Sequence, residues 1–186
     1  MSQIHFGGSR SLPPTRLVHQ VVTAALVAGH RVRVGCAIGA DAQVIQAALI
    51  KNASRLHVFA AFTEKGYGAW SGSATSAVDT AFRYGARVSY LPHVDLSIPL
   101  AGRLIRRSIT ALTGCNASVF FLATKDSYGS LAVAAEAVRR DLPVFAFCVG
   151  FWGHPLPPRG CRGRWINASF MGASALRWKP AQSKFF

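Results

Sequence analysis

The sequence predicts an α/β fold built on an open, doubly wound and mostly parallel sheet of about six strands. Short apolar segments alternate with segments of helical periodicity along the first 150 residues. Two of the apolar segments, 56–62 and 118–122, are nearly continuous, as in strands that are buried on both faces. Glycine-containing loops follow several of the strands, as expected where a parallel strand turns into the next helix.

The elements follow one another as strand, loop and helix. After a first strand, apolar positions from Leu17 onward repeat at helical spacing until Gly29, which predicts the end of the first helix. The same unit then recurs along the chain. The predicted strands cover residues 4–6, 31–34, 56–62, 86–91, 118–122 and 143–147. The predicted helices cover residues 17–28, 42–51, 76–84, 100–112 and 130–140.

The pattern changes from Phe151 onward. This segment contains four prolines and three of the four tryptophans, and it has no acidic residue. Because no further strand and helix unit fits, we predict a domain over residues 1–150 and an irregular basic extension over 151–186. The extension combines cations with aromatic rings, as single-strand binders do. These residues are Arg159, Arg162, Arg164, Arg177, Lys179 and Lys184 with Trp152, Trp165, Phe170 and Trp178.

Charge is the strongest compositional signal. The chain has 21 Lys and Arg against 7 Asp and Glu, a formal net charge of +14. Solubility needs a net charge of only about 2 to 8 on a small domain. The excess predicts a polyanionic partner, and nucleic acid is the favoured one.

Three loops are predicted to meet where an open α/β sheet binds its ligands, beyond the carboxyl ends of the strands. The first loop covers residues 7–10, the second 35–41 and the third 125–130. Glycines there let the backbone approach a phosphate, and serines and cations add donors. Asp41, the acidic residue of the second loop, either complements the dipole at the start of its helix or contacts a ligand. The candidates on the three loops are Gly7, Gly8, Ser9, Arg10, Gly35, Gly39, Asp41, Lys125, Gly129 and Ser130.

The helix over 100–112 adds two arginines to the candidate site. Its buried stripe is predicted from Leu100 through Leu104 to Leu112, with Arg103 and Arg107 one turn apart and away from the stripe. Arg103 is nearer the start of the helix, so we expect it to lie nearer the crevice.

Several classes of protein are disfavoured. The longest mainly apolar stretch, 142–152, is shorter than the roughly 20 residues of a membrane span. The first residues lack the pattern of a secretory leader, which predicts a cytoplasmic protein. Scattered cysteines predict reduced thiols, and the spacing of Cys148, His154 and Cys161 matches no structural zinc module. No metal and no cofactor is predicted.

An ordered set of motifs resembles the SLOG superfamily over about residues 4–150. The pattern is most similar to the Rossmann-like domain of DNA processing protein A, a family that binds single-stranded DNA and helps to load a recombinase. The resemblance implies that Gly8, Ser9, Arg10, Gly39, Arg103, Gly129 and Ser130 line an anion site. The motifs are GGSR at 7–10, GxAxGxD at 35–41, AL at 48–49, IP at 98–99, RLI at 103–105, YGSL at 128–131 and PVFA at 143–146.

The lonely-guy phosphoribohydrolases, from the same superfamily, carry a catalytic glutamate three residues after a threonine. Here Ser130 stands at the threonine position, and the glutamate position is Val133. Glu136 follows one helical turn too late. The resemblance therefore disfavours hydrolytic activity, and no catalytic residue is predicted.

Two hypotheses follow. The first is a nucleic-acid-binding protein that acts in DNA processing or recombination. Single-stranded DNA is the favoured ligand and RNA is an alternative. A homodimer is one form that this hypothesis allows. The second is a nucleotide-binding sensor or nucleotide N-glycosidase-like enzyme that uses the same crevice. On the first hypothesis, Arg162, Arg164 and Trp165 are auxiliary contacts.

Overall fold

The computed structural model describes residues 2–181 and contains one eight-stranded sheet. All six predicted strands are present, and two more follow them. The strands are β1 Gln3–Gly8, β2 Arg31–Val34, β3 Leu56–Phe59, β4 Arg87–Ser89, β5 Ala117–Leu122, β6 Val144–Cys148, β7 Gly163–Phe170 and β8 Ala173–Pro180. The helices are α1 Arg16–Val27, α2 Ala40–Asn52, α3 Gly72–Arg83, α4 Leu100–Ala111 and α5 Tyr128–Arg139.

The strand order is β4-β3-β2-β1-β5-β6-β8-β7, and the first six strands are parallel. The chain moves outward from β1 to β4 and then crosses back to β5. Because such crossovers are right-handed, α1, α2 and α3 lie on one face of the sheet and α4 and α5 on the other. The direction of winding reverses between β1 and β5, which confirms the doubly wound fold.

Apolar side chains cover both faces of the sheet. On the α1 face, the rings of Phe6, Phe121 and Phe147 stack across neighbouring strands at centroid distances of 6.3 and 5.2 Å. On the α5 face, Trp165 and Trp178 pack edge to face at 5.2 Å beside Phe120. Burial of apolar surface is the dominant favourable term in folding, and these rings contribute a large share of that surface.

The prediction of an irregular extension is wrong for residues 163–180, which form a β-hairpin in the same sheet. Its turn is Met171-Gly172, with φ of 51° and 78°. Such a turn usually contains Asn-Gly, so the sequence lacks the signal by which the hairpin could be predicted. β8 continues the sheet antiparallel to β6. The sheet thus extends past residue 150, and the predicted domain boundary there stays a prediction.

Candidate anion-binding crevice

A pocket of about 540 Å³ opens at the carboxyl ends of β1 and β5, where the winding of the sheet reverses. We call it the crevice pocket. It lies between the sheet and the two helices α4 and α5. Eight of the predicted site residues line it: Gly7, Gly8, Ser9, Arg10, Asp41, Arg107, Gly129 and Ser130.

Hydroxyl groups join the first and third loops across the pocket. Ser9 Oγ accepts a hydrogen bond from the Ala123 N–H at 2.9 Å and lies 2.6 Å from Ser127 Oγ. Ser127 Oγ donates in turn to the Thr124 carbonyl at 3.0 Å. The Ser9 hydroxyl was predicted as a phosphate donor, but in this structure it holds two loops together.

The N-terminus of α5 faces the crevice pocket with its backbone donors uncapped. Ser127 occupies the N-cap position, yet its side chain makes no capping hydrogen bond to the helix. Gly129 and Ser130 lie in the first turn, where N–H groups have no partner within the helix. Together with the helix dipole, these donors favour an anion at this position.

A buried ion pair forms part of the pocket floor. Arg107 Nη1 donates to Asp41 Oδ2 at 3.0 Å, and the Ala37 N–H donates to the same oxygen at 3.1 Å. Both side chains are buried, so the expectation that Arg107 lies away from the buried stripe of α4 is wrong. Burial raises the pKa of the Asp41 carboxyl, whereas the Arg107 charge and the hydrogen bonds oppose that shift.

Two glycines of the second loop make room for this arrangement. A Cβ atom on Gly35 would lie 0.7 Å from Arg107 Nη1, so any side chain there would displace the guanidinium. Gly39 has a φ of 75°, and its Cβ would lie 2.3 Å from the Arg10 carbonyl oxygen. Neither glycine lines the pocket. Each is needed instead for the close approach of its neighbours.

His5 completes the floor and was not predicted as a site residue. It is 1% exposed, lines the pocket, and its Nδ1 lies 2.8 Å from Oγ of Ser118 on the adjacent strand. Burial, followed by the charges of Arg107 and Arg33, lowers its pKa to about 3, so the ring is neutral at physiological pH. The signal available in the sequence was a histidine inside an otherwise buried strand.

The remaining wall of the pocket is apolar, and carboxylates are scarce. Leu104, Ile105, Phe120 and Val133 contribute this wall. Among the described residues that line the pocket, Asp41 is the only carboxylate. This carboxylate is already paired with Arg107 and with the Ala37 N–H.

Other predicted site residues lie outside the pocket. Arg103 Nη1 donates to the Gly68 carbonyl at 2.7 Å, so the expectation that Arg103 is the arginine nearer the crevice is wrong and Arg107 takes that place. Lys125 is exposed on the third loop without lining the pocket.

The auxiliary residues of the extension lie on the hairpin. Arg162 and Arg164 are exposed, and Arg164 pairs with Lys179 across the hairpin. Both residues lie at the open end of the hairpin, opposite to its turn. Because β8 runs antiparallel to β6, this end lies toward the amino ends of the parallel strands, away from the pocket. Trp165 is buried against Trp178, which favours a packing role. Lys184 lies outside the described residues, and binding by this group stays a prediction.

Within residues 2–181, no helix combines the length and apolar character that crossing a bilayer requires.

Comparison with known proteins supports the fold. No protein-family model and no curated protein matches the chain. Among solved structures, the chain is similar to DNA processing protein A from Helicobacter pylori, in a study of its single-stranded DNA binding mode, with a TM-score of 0.57 and 16% identity. The match covers 78% of this chain and 64% of that chain. The resemblance to DNA processing protein A is therefore confirmed at the level of the fold.

Proposed function

We propose that this protein binds nucleic acid, and single-stranded DNA in particular, through the crevice pocket. The observation that carries the proposal is the uncapped N-terminus of α5 at the switch point of the sheet, beside the exposed Arg10. Backbone donors and a guanidinium at one place suit a phosphate group. A net charge of +14 supplies the long-range attraction that a polyanion requires.

The fold neighbour supports the same proposal. The Helicobacter pylori protein is described as binding single-stranded DNA. In our proposal, a backbone phosphate lies at the start of α5, and the apolar wall of the pocket receives the attached nucleoside. RNA is the alternative polymer, and a homodimer would present two such pockets to one strand. The membership of this chain in the SLOG superfamily, and a role in DNA processing or recombination, belong to the same proposal.

A second candidate is a sensor for one small nucleotide. The observation in its favour is the size of the pocket, since about 540 Å³ lies within the range of sites that hold a single small ligand. Hydrolysis is less well supported because the pocket holds one carboxylate, which is already paired.

The two candidates differ in their response to salt. A single strand releases counterions on binding, so the logarithm of its association constant should fall by about 0.7 per neutralised phosphate for each unit of log salt. We would measure fluorescence anisotropy of a labelled single strand at several salt concentrations, with mononucleotides as competitors. A steep slope and weak competition are expected. Tight binding of a mononucleotide, with no measurable binding of the strand, would overturn the proposal in favour of the sensor.

A further inference from the structure

The connection between β6 and β7, residues 149–162, lies beside the mouth of the crevice pocket. The Leu156 N–H donates to the Lys125 carbonyl at 2.8 Å, which fixes the connection to the third loop. Trp165 Nε1 donates to the Leu156 carbonyl at 3.2 Å, and Pro155 and Pro158 are buried. The connection is therefore anchored at Leu156, through its N–H to the third loop and through its carbonyl to β7.

One arginine of this connection organises an aromatic ring at the pocket mouth. The Arg159 guanidinium lies over the Tyr128 ring, 5.2 Å from its centroid, and donates to the Tyr128 hydroxyl. Tyr128 itself lines the pocket and is 60% exposed. Because the guanidinium restrains this ring, it is held at the mouth with much of its surface open to a ligand.

A second ring on the connection is still more exposed. Trp152 is 94% exposed, whereas Trp165 and Trp178 are 5% and 4% exposed. Packing explains the two buried tryptophans and leaves Trp152 without such a role. The next residue is Gly153, where a Cβ would lie 3.8 Å from Lys125 Nζ. The backbone next to Trp152 thus lies beside the third loop.

The charge of this surface suits a polyanion. Residues 142–186 contain no aspartate or glutamate, so the whole connection lacks acidic side chains. Lys125 and Arg159 contribute two cations, against one carboxylate from Asp126 in the third loop. Exposed aromatic rings interleaved with cations are the features by which proteins hold single strands without reading their sequence.

We propose that Tyr128, Arg159 and Trp152 form a stacking platform for the bases of a single-stranded nucleic acid that leaves the crevice pocket. This inference rests on the proposed function and adds a second contact surface to it. The pocket holds one nucleotide unit, and the platform holds the units that follow. Affinity then depends on strand length as well as on the pocket.

The test compares a nucleoside monophosphate with a single strand of about twelve nucleotides, a length within the range that one binding module covers. Both are titrated against the full chain and against Trp152→Ala, with calorimetry for the monophosphate and anisotropy for the strand. Stacking is worth about 1–3 kcal/mol per base, so Trp152→Ala should weaken strand binding by about 5- to 150-fold. Binding of the monophosphate should stay unchanged, and Trp152→Phe should retain most of the strand affinity.

The matched control is Tyr84→Ala, since Tyr84 is 68% exposed at the far end of α3, next to the opposite edge of the sheet. This variant should bind the strand as the parent does. Equal strand affinity for Trp152→Ala and the parent would overturn the platform and leave the proposed function standing. Absence of strand binding by the parent itself would overturn both, so the two failures are distinguishable.

Discussion

The floor and the rim of the crevice pocket contain similar polar side chains in opposite environments. On the floor, Arg107 is 3% exposed and paired with Asp41, and His5 is 1% exposed and neutral. On the rim, Arg10 and Tyr128 are exposed at the ends of the first and third loops. The difference teaches that an arginine lining a pocket does not necessarily serve a ligand. We expect floor substitutions to change stability first and rim substitutions to change binding alone.

The largest effect is expected from Arg107→Leu. Removing the guanidinium leaves the Asp41 carboxylate buried with only the Ala37 N–H as partner. Breaking a buried pair in this way costs about 3–5 kcal/mol, so the free energy of unfolding in urea should fall by that amount. Arg106→Leu, on the exposed face of the same helix, is the control and should unfold like the parent. Equal stability of Arg107→Leu and Arg106→Leu would contradict a structural role for the pocket floor.

A double variant tests whether the unpaired buried charge explains the loss of stability in Arg107→Leu. Asp41→Asn with Arg107→Leu leaves no buried charge, so it should be more stable than Arg107→Leu alone. If the double variant is the less stable of the two, the ion pair does not explain the cost.

The next effect concerns pH and His5. The unfolded side chain takes up a proton near pH 6.5, whereas the folded one does so near pH 3. Between these values the unfolded chain binds more protons, so the free energy of unfolding falls as the pH falls, by up to about 1.4 kcal/mol per pH unit. His57, whose pKa is lowered to about 4 by burial, acts in the same direction.

The contribution of His5 is isolated by substitution. Urea unfolding of His5→Asn at several pH values between 6.5 and 4.5 should show a shallower dependence on pH than the parent. His19→Asn, which changes an exposed histidine, is the matched control for the substitution itself. Identical pH dependence in His5→Asn and the parent would show that the folded His5 ring titrates normally.

On the rim, Arg10→Gln should leave unfolding unchanged and weaken binding of a single strand. A charge-assisted contact is worth roughly 1.5–3 kcal/mol, which corresponds to a loss of about tenfold or more in affinity. The salt slope should become shallower by about 0.7, as for one phosphate. Arg83→Gln, at the exposed end of α3, serves as the control. Equal losses in the two variants would mean that only net charge matters.

The last substitution, Gly129→Ala in the first turn of α5, is expected to change stability only slightly. A Cβ at Gly129 would make an ordinary contact of 3.9 Å with Ile105, and alanine favours a helix over glycine by about 0.5–1 kcal/mol. The free energy of unfolding should therefore stay level or rise by up to about 1 kcal/mol. Affinity for a single strand should fall, because the methyl group enters the pocket. Unchanged affinity would place the ligand away from the first turn of α5.

The parallel part of the fold could be predicted because its signals are local. Apolar runs and helical spacing recur in every unit up to β6, and a switch point follows from that topology. The hairpin could not be predicted, because Met171 in its turn adopts a positive φ, which is uncommon for methionine.

The candidate site was predictable as a set of loops, but its floor was not. Arg103 and Arg107 differ by one helical turn, and only the partner across the pocket, Asp41, decides which of them is buried there. His5 takes its place through a pairing of β1 with β5, where it lies opposite Ser118, over more than a hundred residues of sequence. Contacts between residues so distant in sequence produce no periodic pattern from which they could be predicted.

The terminal hairpin also bears on how the molecule opens. Its two strands pair with each other at eight positions, whereas β8 is in register with β6 at only two, Phe145 with Arg177 and Ala146 with Leu176. Partial unfolding follows the boundaries of such cooperative units. We therefore expect the hairpin to separate from the sheet as one piece more readily than its own strands separate from each other. Amide hydrogens of β6 that face β8 should then exchange with solvent sooner than those that face β5.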